Sequence, residues 1–154
     1  AMHPGFGALR GEYYITIINK AGVDMTEEEL IAKATAVRDR AYAPYSRFRG
    51  GAALLGADGD VYVGCNVESA AFGAGLCAER AAIAQAVAAG CRDFVRAAVI
   101  SSQNTVCTPC GICRQMLYEF APELEILCCR ADGTYEVHTA AELLPNGFGA
   151  DTMR

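Results

Sequence analysis

Three cysteines and one glutamate have the spacing of a metal centre. Cys110 and Cys113 are three residues apart, so at the start of a helix their sulfurs lie on one face. Cys77 precedes a second helical run, and Glu79 follows it by two residues. Two helix N-termini brought together would direct three thiols at one point, and the helix dipoles would favour the thiolate form that binds metal. Three sulfurs suit tetrahedral zinc with a fourth position left for water, the arrangement of a catalytic site.

Glu79 is the candidate for proton transfer at that site. A carboxylate beside a zinc-activated water can accept its proton and then pass it on, so one side chain serves first as base and then as acid. The alternative is an exposed glutamate in the first helical turn that interacts only with the helix dipole.

Six short motifs extend this pattern over residues 25–148. In chain order they are Ala43-Pro44-Tyr45-Ser46-Arg47-Phe48, Gly51-Ala52-Ala53-Leu54, Gly64-Cys65-Asn66-Val67-Glu68, Cys77-Ala78-Glu79-Arg80, Pro109-Cys110-Gly111-Ile112-Cys113-Arg114-Gln115 and Glu142-Leu143-Leu144-Pro145. Together they resemble the small zinc-dependent cytidine deaminases. The resemblance implies one zinc ion per chain and the hydrolysis of cytidine and deoxycytidine to uridine and deoxyuridine, with release of ammonia, in pyrimidine salvage.

The resemblance also implies how the nucleoside is bound. Asn66 and Glu68 would bind the ribose, and Phe48 would stack near the base and sugar. The backbone of Ala78 would bind the base. Phe148 would reach the base in a neighbouring subunit's pocket, which implies a homotetramer with shared active sites.

Basic and polar residues next to the metal ligands could offset the negative charge of three thiolates. Arg80 and Arg114 are each adjacent to a ligand and could donate hydrogen bonds to the sulfurs. By resemblance, Arg80 and Gln115 occupy these positions beside the ligands. Either could equally be a packing or surface residue.

Several positions depart from the family's usual pattern. Gly50 stands where such enzymes usually have Val. After Glu68, Ser69 replaces the usual Asn, Ala71 replaces Ser or Cys, and Phe72 replaces Tyr. These changes reduce volume or polarity near the expected base and sugar pocket. They predict a site that tolerates modified cytidines.

Composition favours a small neutral substrate. The net charge of −5 argues against nucleic acid as a partner, because nucleic-acid binders usually carry a basic surface. No apolar run approaches the ~20 residues of a membrane span. Eight cysteines without a signal-peptide pattern indicate free thiols in a reducing cytoplasm. We expect residues 1–24 to be a leader, either vector-derived or an N-terminal extension with a strand at 12–19, and residues 25–154 to be one deaminase domain.

The order of elements predicts an α/β fold. Helical periodicity runs from Met25 through Ala41 and must stop before Pro44, and Thr26 with Glu29 forms a capping box. Further helices are expected at 81–89, 111–120 and 140–144. Strands are expected at 51–55, 61–63, 94–101, 124–129 and 134–138. This alternation predicts a three-layer α-β-α sandwich around a five-stranded mixed sheet, as in the cytidine deaminases.

Other interpretations of the cysteines remain open. Cys107 stands three residues before Cys110, so four thiolates could close a purely structural zinc site. An iron–sulfur site would need a fourth cysteine near Leu117, and a redox site lacks a thioredoxin-like context. A deaminase of the blasticidin S type shares the zinc motifs, but the segments at 45–48 and 66–68 favour cytidine.

Overall fold

A five-stranded sheet forms the centre of the molecule. The computed structural model describes residues 25–153. The strands are β1 (Gly50–Gly56), β2 (Val61–Cys65), β3 (Phe94–Ser101), β4 (Glu125–Cys129) and β5 (Tyr135–Thr139), in the order β2-β1-β3-β4-β5. β3 and β4 are parallel, whereas the other neighbouring pairs are antiparallel. The mixed sheet predicted from the sequence is confirmed.

Four α-helices flank the sheet within the described residues, and two of them begin at a capping threonine. They are α1 (Glu27–Arg38), α2 (Ala78–Ala88), α3 (Gly111–Phe120) and α4 (Ala140–Leu143). Thr26 and Thr139 each form a capping box with the glutamate three residues on, at the starts of α1 and α4. Short 3₁₀ turns lie at Phe72–Ala74 and Ala150–Met153.

α1 ends earlier than its apolar pattern predicts. The helix stops at Arg38, so Ala41 lies outside it. The backbone N–H of Tyr42 instead donates to the carbonyl of Asn66 at 3.0 Å, and Tyr42 forms an isolated bridge with Val67. Pairing with this distant segment takes the place of a further helical turn.

Alternate residues of β1 pack into two separate apolar layers. Ala52 and Leu54 join a core with α2 and α3, whereas Ala53 and Leu55 join a core with α1. This period-two alternation is what a strand buried on both faces produces. The three-layer α-β-α sandwich is therefore confirmed.

Two glycines let helices approach the sheet closely. A β-carbon on Gly51 would stand 2.1 Å from the carbonyl oxygen of Ala34 in α1. One on Gly64 would stand 2.3 Å from the carbonyl oxygen of Ala78 in α2. Because Ala78 is the first residue of α2, Gly64 fixes the end of the helix that carries the site.

No helix within residues 25–153 is long and apolar enough to cross a membrane. All eight cysteines are free thiols. The predictions for residues 1–24 lie outside the described residues.

Candidate metal centre and nucleoside site

Two helix N-termini bring three cysteine sulfurs together. Cys77 is the N-cap residue of α2, Cys110 is the N-cap residue of α3, and Cys113 lies in the first turn of α3. The three sulfurs lie within 4.8 Å of one another, and those of Cys77 and Cys110 are 3.6 Å apart. The cluster predicted from the cysteine spacing is therefore present in the fold.

The cluster fits zinc. Sulfurs bonded to one tetrahedral zinc at about 2.3 Å are about 3.8 Å apart, close to the distance between Cys77 and Cys110. Among the described residues the cluster holds three potential ligands, and Cys107 is not one of them. Its half-buried thiol packs against the core shared by α2 and α3 instead. The closed four-cysteine site is therefore not formed.

A hydrogen bond and a neighbouring positive charge favour the thiolate form of Cys77. The pKa of Cys77 falls to about 5, because the Cys113 thiol hydrogen-bonds its sulfur and the Arg80 guanidinium lies beside it. A thiolate is the form that binds metal. Cys113 has a pKa raised above its usual range by its bond to Cys77 and by burial, so it acts as the donor within the pair.

Glu79 faces into the protein. It lies in the first turn of α2, two residues after Cys77, and only 8% of it is exposed. Burial and, to a smaller extent, the neighbouring Cys77 sulfur raise the pKa of its carboxyl. The exposed first-turn glutamate considered from the sequence is therefore excluded by its position.

The residues expected beside the ligands make different contacts. Arg80 donates through Nη2 to the carbonyl of Gly75 at 3.0 Å and to the Cys77 sulfur at 3.9 Å. The prediction that Arg114 donates to a sulfur is wrong. Its guanidinium donates to the carbonyls of Pro109 at 2.7 Å and Leu143 at 3.1 Å, because the end of α4 lies within its reach.

Asn66 ties down the segment that carries Phe48. Its Nδ2 donates to the carbonyl of Phe48 at 2.8 Å, and its Oδ1 accepts from the backbone N–H of Gly50 at 2.7 Å. Phe48 itself remains 41% exposed. Asn66 therefore orients Phe48 through the backbone on both sides of Arg49.

Glu68 closes the turn just before Phe48. Its carboxylate accepts from the backbone N–H groups of Tyr45 at 2.9 Å and Ser46 at 3.2 Å, and from the Ser46 hydroxyl. The bond to that hydroxyl is the main reason why the pKa of Glu68 lies below its usual value. No role was predicted for Ser46 from the sequence, although it lies in a motif. A serine between two aromatic residues does not by itself indicate which group its hydroxyl will bind.

Three of the residues expected to bind substrate surround Gly50, which is buried. A β-carbon there would lie 3.7 Å from both Asn66 Oδ1 and Phe48 Cε1, and 3.9 Å from the β-carbon of Ala78. Nearby, a surface pocket of about 390 Å³ is lined by Tyr45, Ser46, Glu68, Ser69, Phe72 and Gly75. Of the departures from the family pattern, Gly50, Ser69 and Phe72 therefore lie close to the residues expected to bind substrate.

Phe148 lies after α4 on an exposed part of the chain. Its side chain is 56% exposed, and its carbonyl accepts a hydrogen bond from Gln115 Nε2 at 2.7 Å. Gln115 thus contacts the C-terminal segment.

The sequence model described as the cytidine and deoxycytidylate deaminase zinc-binding region matches residues 24–129. The chain belongs to this deaminase family. Cytidine deaminase from Sporosarcina psychrophila is 41% identical over 130 residues, covering 84% of this chain and 96% of the relative. That of Halalkalibacterium halodurans is 42% identical, covering 84% and 98%. The crystal structure of cytidine deaminase from Burkholderia pseudomallei is 46% identical, with a TM-score of 0.78, covering 80% of this deaminase chain and 100% of the other.

Proposed function

We propose that this chain is a zinc-dependent cytidine deaminase. It converts cytidine and deoxycytidine, with water, into uridine and deoxyuridine and ammonia. The observation that carries this conclusion is the cluster of three cysteine sulfurs at the start of α2, where the carboxyl of Glu79 is buried and hydrogen-bonded to Cys113. The blasticidin S type of deaminase is not favoured, because the relatives described above are cytidine deaminases.

Cys77, Cys110 and Cys113 would hold the zinc ion, and Glu79 would move the protons. Bound zinc supplies a Lewis acid that makes water a nucleophile at neutral pH. With zinc bound, the Glu79 carboxylate would take one proton from water and deliver it to the ring nitrogen beside the amino-bearing carbon. It would then take the remaining proton of the attacking oxygen and pass it to the amine, which leaves as ammonia. Burial raises the pKa of Glu79, so its carboxylate takes up a proton more readily than an exposed one.

Asn66 and Glu68 would bind the sugar hydroxyls while they hold the loop. An amide offers two N–H donors and two acceptor lone pairs, of which Asn66 uses one of each on the backbone. A carboxylate offers about four acceptor positions, and Glu68 uses three. Both side chains retain capacity for a ribose. Phe48 and the backbone of Ala78 would contact the base.

We propose a homotetramer in which Phe148 of one subunit contacts the base bound by another. Exposed aromatic side chains near the site support this arrangement. The enzyme would act on nucleosides in pyrimidine salvage in the cytoplasm, where free thiols persist. Because Gly50 has no side chain, we propose that the site admits cytidines with a larger base.

Replacing Glu79 with Gln tests the function. Glu79→Gln keeps the shape of the side chain but removes the proton carrier, so turnover of cytidine should fall by a factor of roughly 10²–10⁴. Zinc content should stay at one per chain. Ultraviolet absorbance follows turnover, and metal analysis of the same sample gives the zinc content. Glu119→Gln, at an exposed position of α3, is the matched control. Undiminished turnover in Glu79→Gln would falsify the proposal.

A further inference from the structure

α3 holds the C-terminal segment as well as two cysteines of the metal cluster. Cys110 and Cys113 lie at its start. One turn beyond Gly111, the side chain of Gln115 donates to the carbonyl of Phe148 at 2.7 Å. Arg114 donates to the carbonyl of Leu143 at 3.1 Å, where that segment begins. The same helix therefore contacts the chain before Phe148 and at Phe148.

Tyr118, one turn further along α3, lies against the residues on both sides of Phe148. A β-carbon on Gly147 would stand 3.1 Å from Tyr118 Cζ and 2.9 Å from Leu144 Cδ2. A β-carbon on Gly149 would stand 3.1 Å from Tyr118 Cε1. Neither glycine has a left-handed backbone, so close packing is what distinguishes the two positions. A β-carbon would crowd the Tyr118 ring at both positions, and at Gly147 it would also crowd the Leu144 side chain.

This contact fixes the backbone of Phe148 and leaves its ring free. The Phe148 side chain is 56% exposed although its carbonyl is bonded and both neighbours pack on Tyr118. When the backbone is already held, binding costs less conformational entropy, because only the torsions of the aromatic side chain remain to be fixed. The arrangement suits an aromatic ring that must be presented to another molecule.

We propose that Tyr118 is a positioning residue for substrate binding. Through residues 147–149 it holds Phe148 in the conformation that contacts the nucleoside base. This inference rests on the proposed role of Phe148 in a neighbouring subunit's site. The hydrogen bond from Gln115 assists by fixing the carbonyl between the two glycines.

Substitution of the ring provides the first test. Tyr118→Ala should raise the KM for cytidine roughly three- to tenfold, the size of one aromatic contact, with kcat and zinc content unchanged. Tyr118→Phe keeps the ring that lies against both glycines and should behave as the wild type. A rise in KM in Tyr118→Phe equal to that in Tyr118→Ala would overturn the proposal, because the ring would then not be the operative group.

A double-mutant cycle separates positioning from general structural damage. If Tyr118 acts through Phe148, then Tyr118→Ala should add little to the KM of Phe148→Ala. Additive effects, or a KM unchanged by Tyr118→Ala alone, would overturn the positioning role. An unchanged KM in Phe148→Ala would instead remove the role of Phe148, and with it the substrate-binding part of this inference.

Hydrogen exchange, measured without substrate, shows whether Tyr118 fails to hold the segment or whether the segment has no part in substrate binding. In Tyr118→Ala the peptide covering residues 145–153 should exchange faster than in the wild type, while the peptides of β3 and β4 should not change. Equal exchange rates in the two proteins would show that Tyr118 does not hold the segment. Faster exchange with an unchanged KM would show that it holds a segment that has no part in binding.

Discussion

Gly50 leaves space beside side chains that would contact the substrate. Nothing in its surroundings requires glycine: its backbone is not left-handed, and a β-carbon would make only ordinary contacts at 3.7–3.9 Å. These contacts would be with Phe48, Asn66 and Ala78. A small side chain would therefore fit here, and the space that glycine leaves adjoins three residues expected to contact the substrate.

Filling this space should narrow the substrate range. We expect Gly50→Val to reduce kcat/KM for cytidines substituted on the exocyclic nitrogen or on the ring by roughly tenfold or more, since added methyl groups occupy the room. The kcat/KM for cytidine itself should change by less than about threefold. Parallel assays of the wild type, Gly50→Ala and Gly50→Val measure this, and the alanine variant should be intermediate. If the wild type does not act on the substituted cytidines, the idea is wrong.

At the residue scale, the metal cluster was more predictable than the hydrogen bonds around it. Cysteine spacing on a helical turn determines where two sulfurs point, so the sequence alone was enough to place Cys110 and Cys113 together. Arg114 was not predictable in this way, because a long guanidinium has several donors and its choice depended on where the end of α4 lies. The hydrogen bonds of Asn66 and Glu68 were not predictable either, since their backbone partners lie 16–23 residues away in the sequence.

At the element scale, α2 carries Cys77, Glu79 and Arg80, and its position depends on β2. Gly64 lets the first turn of α2 lie directly on the strand. A β-carbon there would stand 2.5 Å from the backbone nitrogen of Ala82 as well as 2.3 Å from the carbonyl oxygen of Ala78. Contacts this short with backbone atoms cannot be relieved by a change of side-chain rotamer, so the helix itself must move.

Gly64→Ala should therefore damage both stability and metal binding. We expect the free energy of unfolding to fall by about 3 kcal/mol, the upper end of the cost of overpacking a core. Zinc affinity should also fall, because Cys77 moves with the helix while Cys110 and Cys113 stay on α3. Chemical denaturation and competition with a chelator measure the two effects.

Gly73→Ala is the control for that experiment. No atom lies within 4 Å of a β-carbon on Gly73, and its backbone is not left-handed. Its stability and zinc affinity should match those of the wild type. Equal effects of the two substitutions would contradict the account of α2 packing.

Elements with strong local signals were predictable, and their ends depended on tertiary pairing. Both capping threonines mark helix starts that the structure confirms. Residues 94–101 were expected as a buried strand and form β3. The end of α1 was not predictable, because the bridge between Tyr42 and Val67 is a long-range contact that leaves no trace in local periodicity.

At the scale of the whole molecule, apolar side chains remain exposed around the candidate site. They include Tyr42, Tyr45, Phe48, Val67, Phe72, Ile112 and Phe148, with Phe72 80% exposed. Such a surface is typical of an interface between subunits. A single sequence predicts which residues are apolar but not which remain exposed after folding, so this surface became visible only in the structure.

Subunit mixing tests whether active sites are shared. Glu79→Gln should reduce turnover by a factor of roughly 10²–10⁴, and Phe148→Ala should raise KM, so each variant alone should have little activity at low cytidine concentration. In randomly mixed tetramers, about a quarter of the sites would combine an intact Glu79 with a neighbour's intact Phe148. Co-expression of the two variants with different tags should therefore restore low-KM activity that neither variant shows alone.

The matched control lacks Phe148 in every subunit. Co-expression of Phe148→Ala with the double variant Glu79→Gln/Phe148→Ala should give no low-KM sites, because no neighbour can supply the ring. If Phe148 served the site of its own chain, no mixed tetramer would bring the two intact groups together. The first mixture would then show only the average of its two components, and the proposal of shared sites would fail.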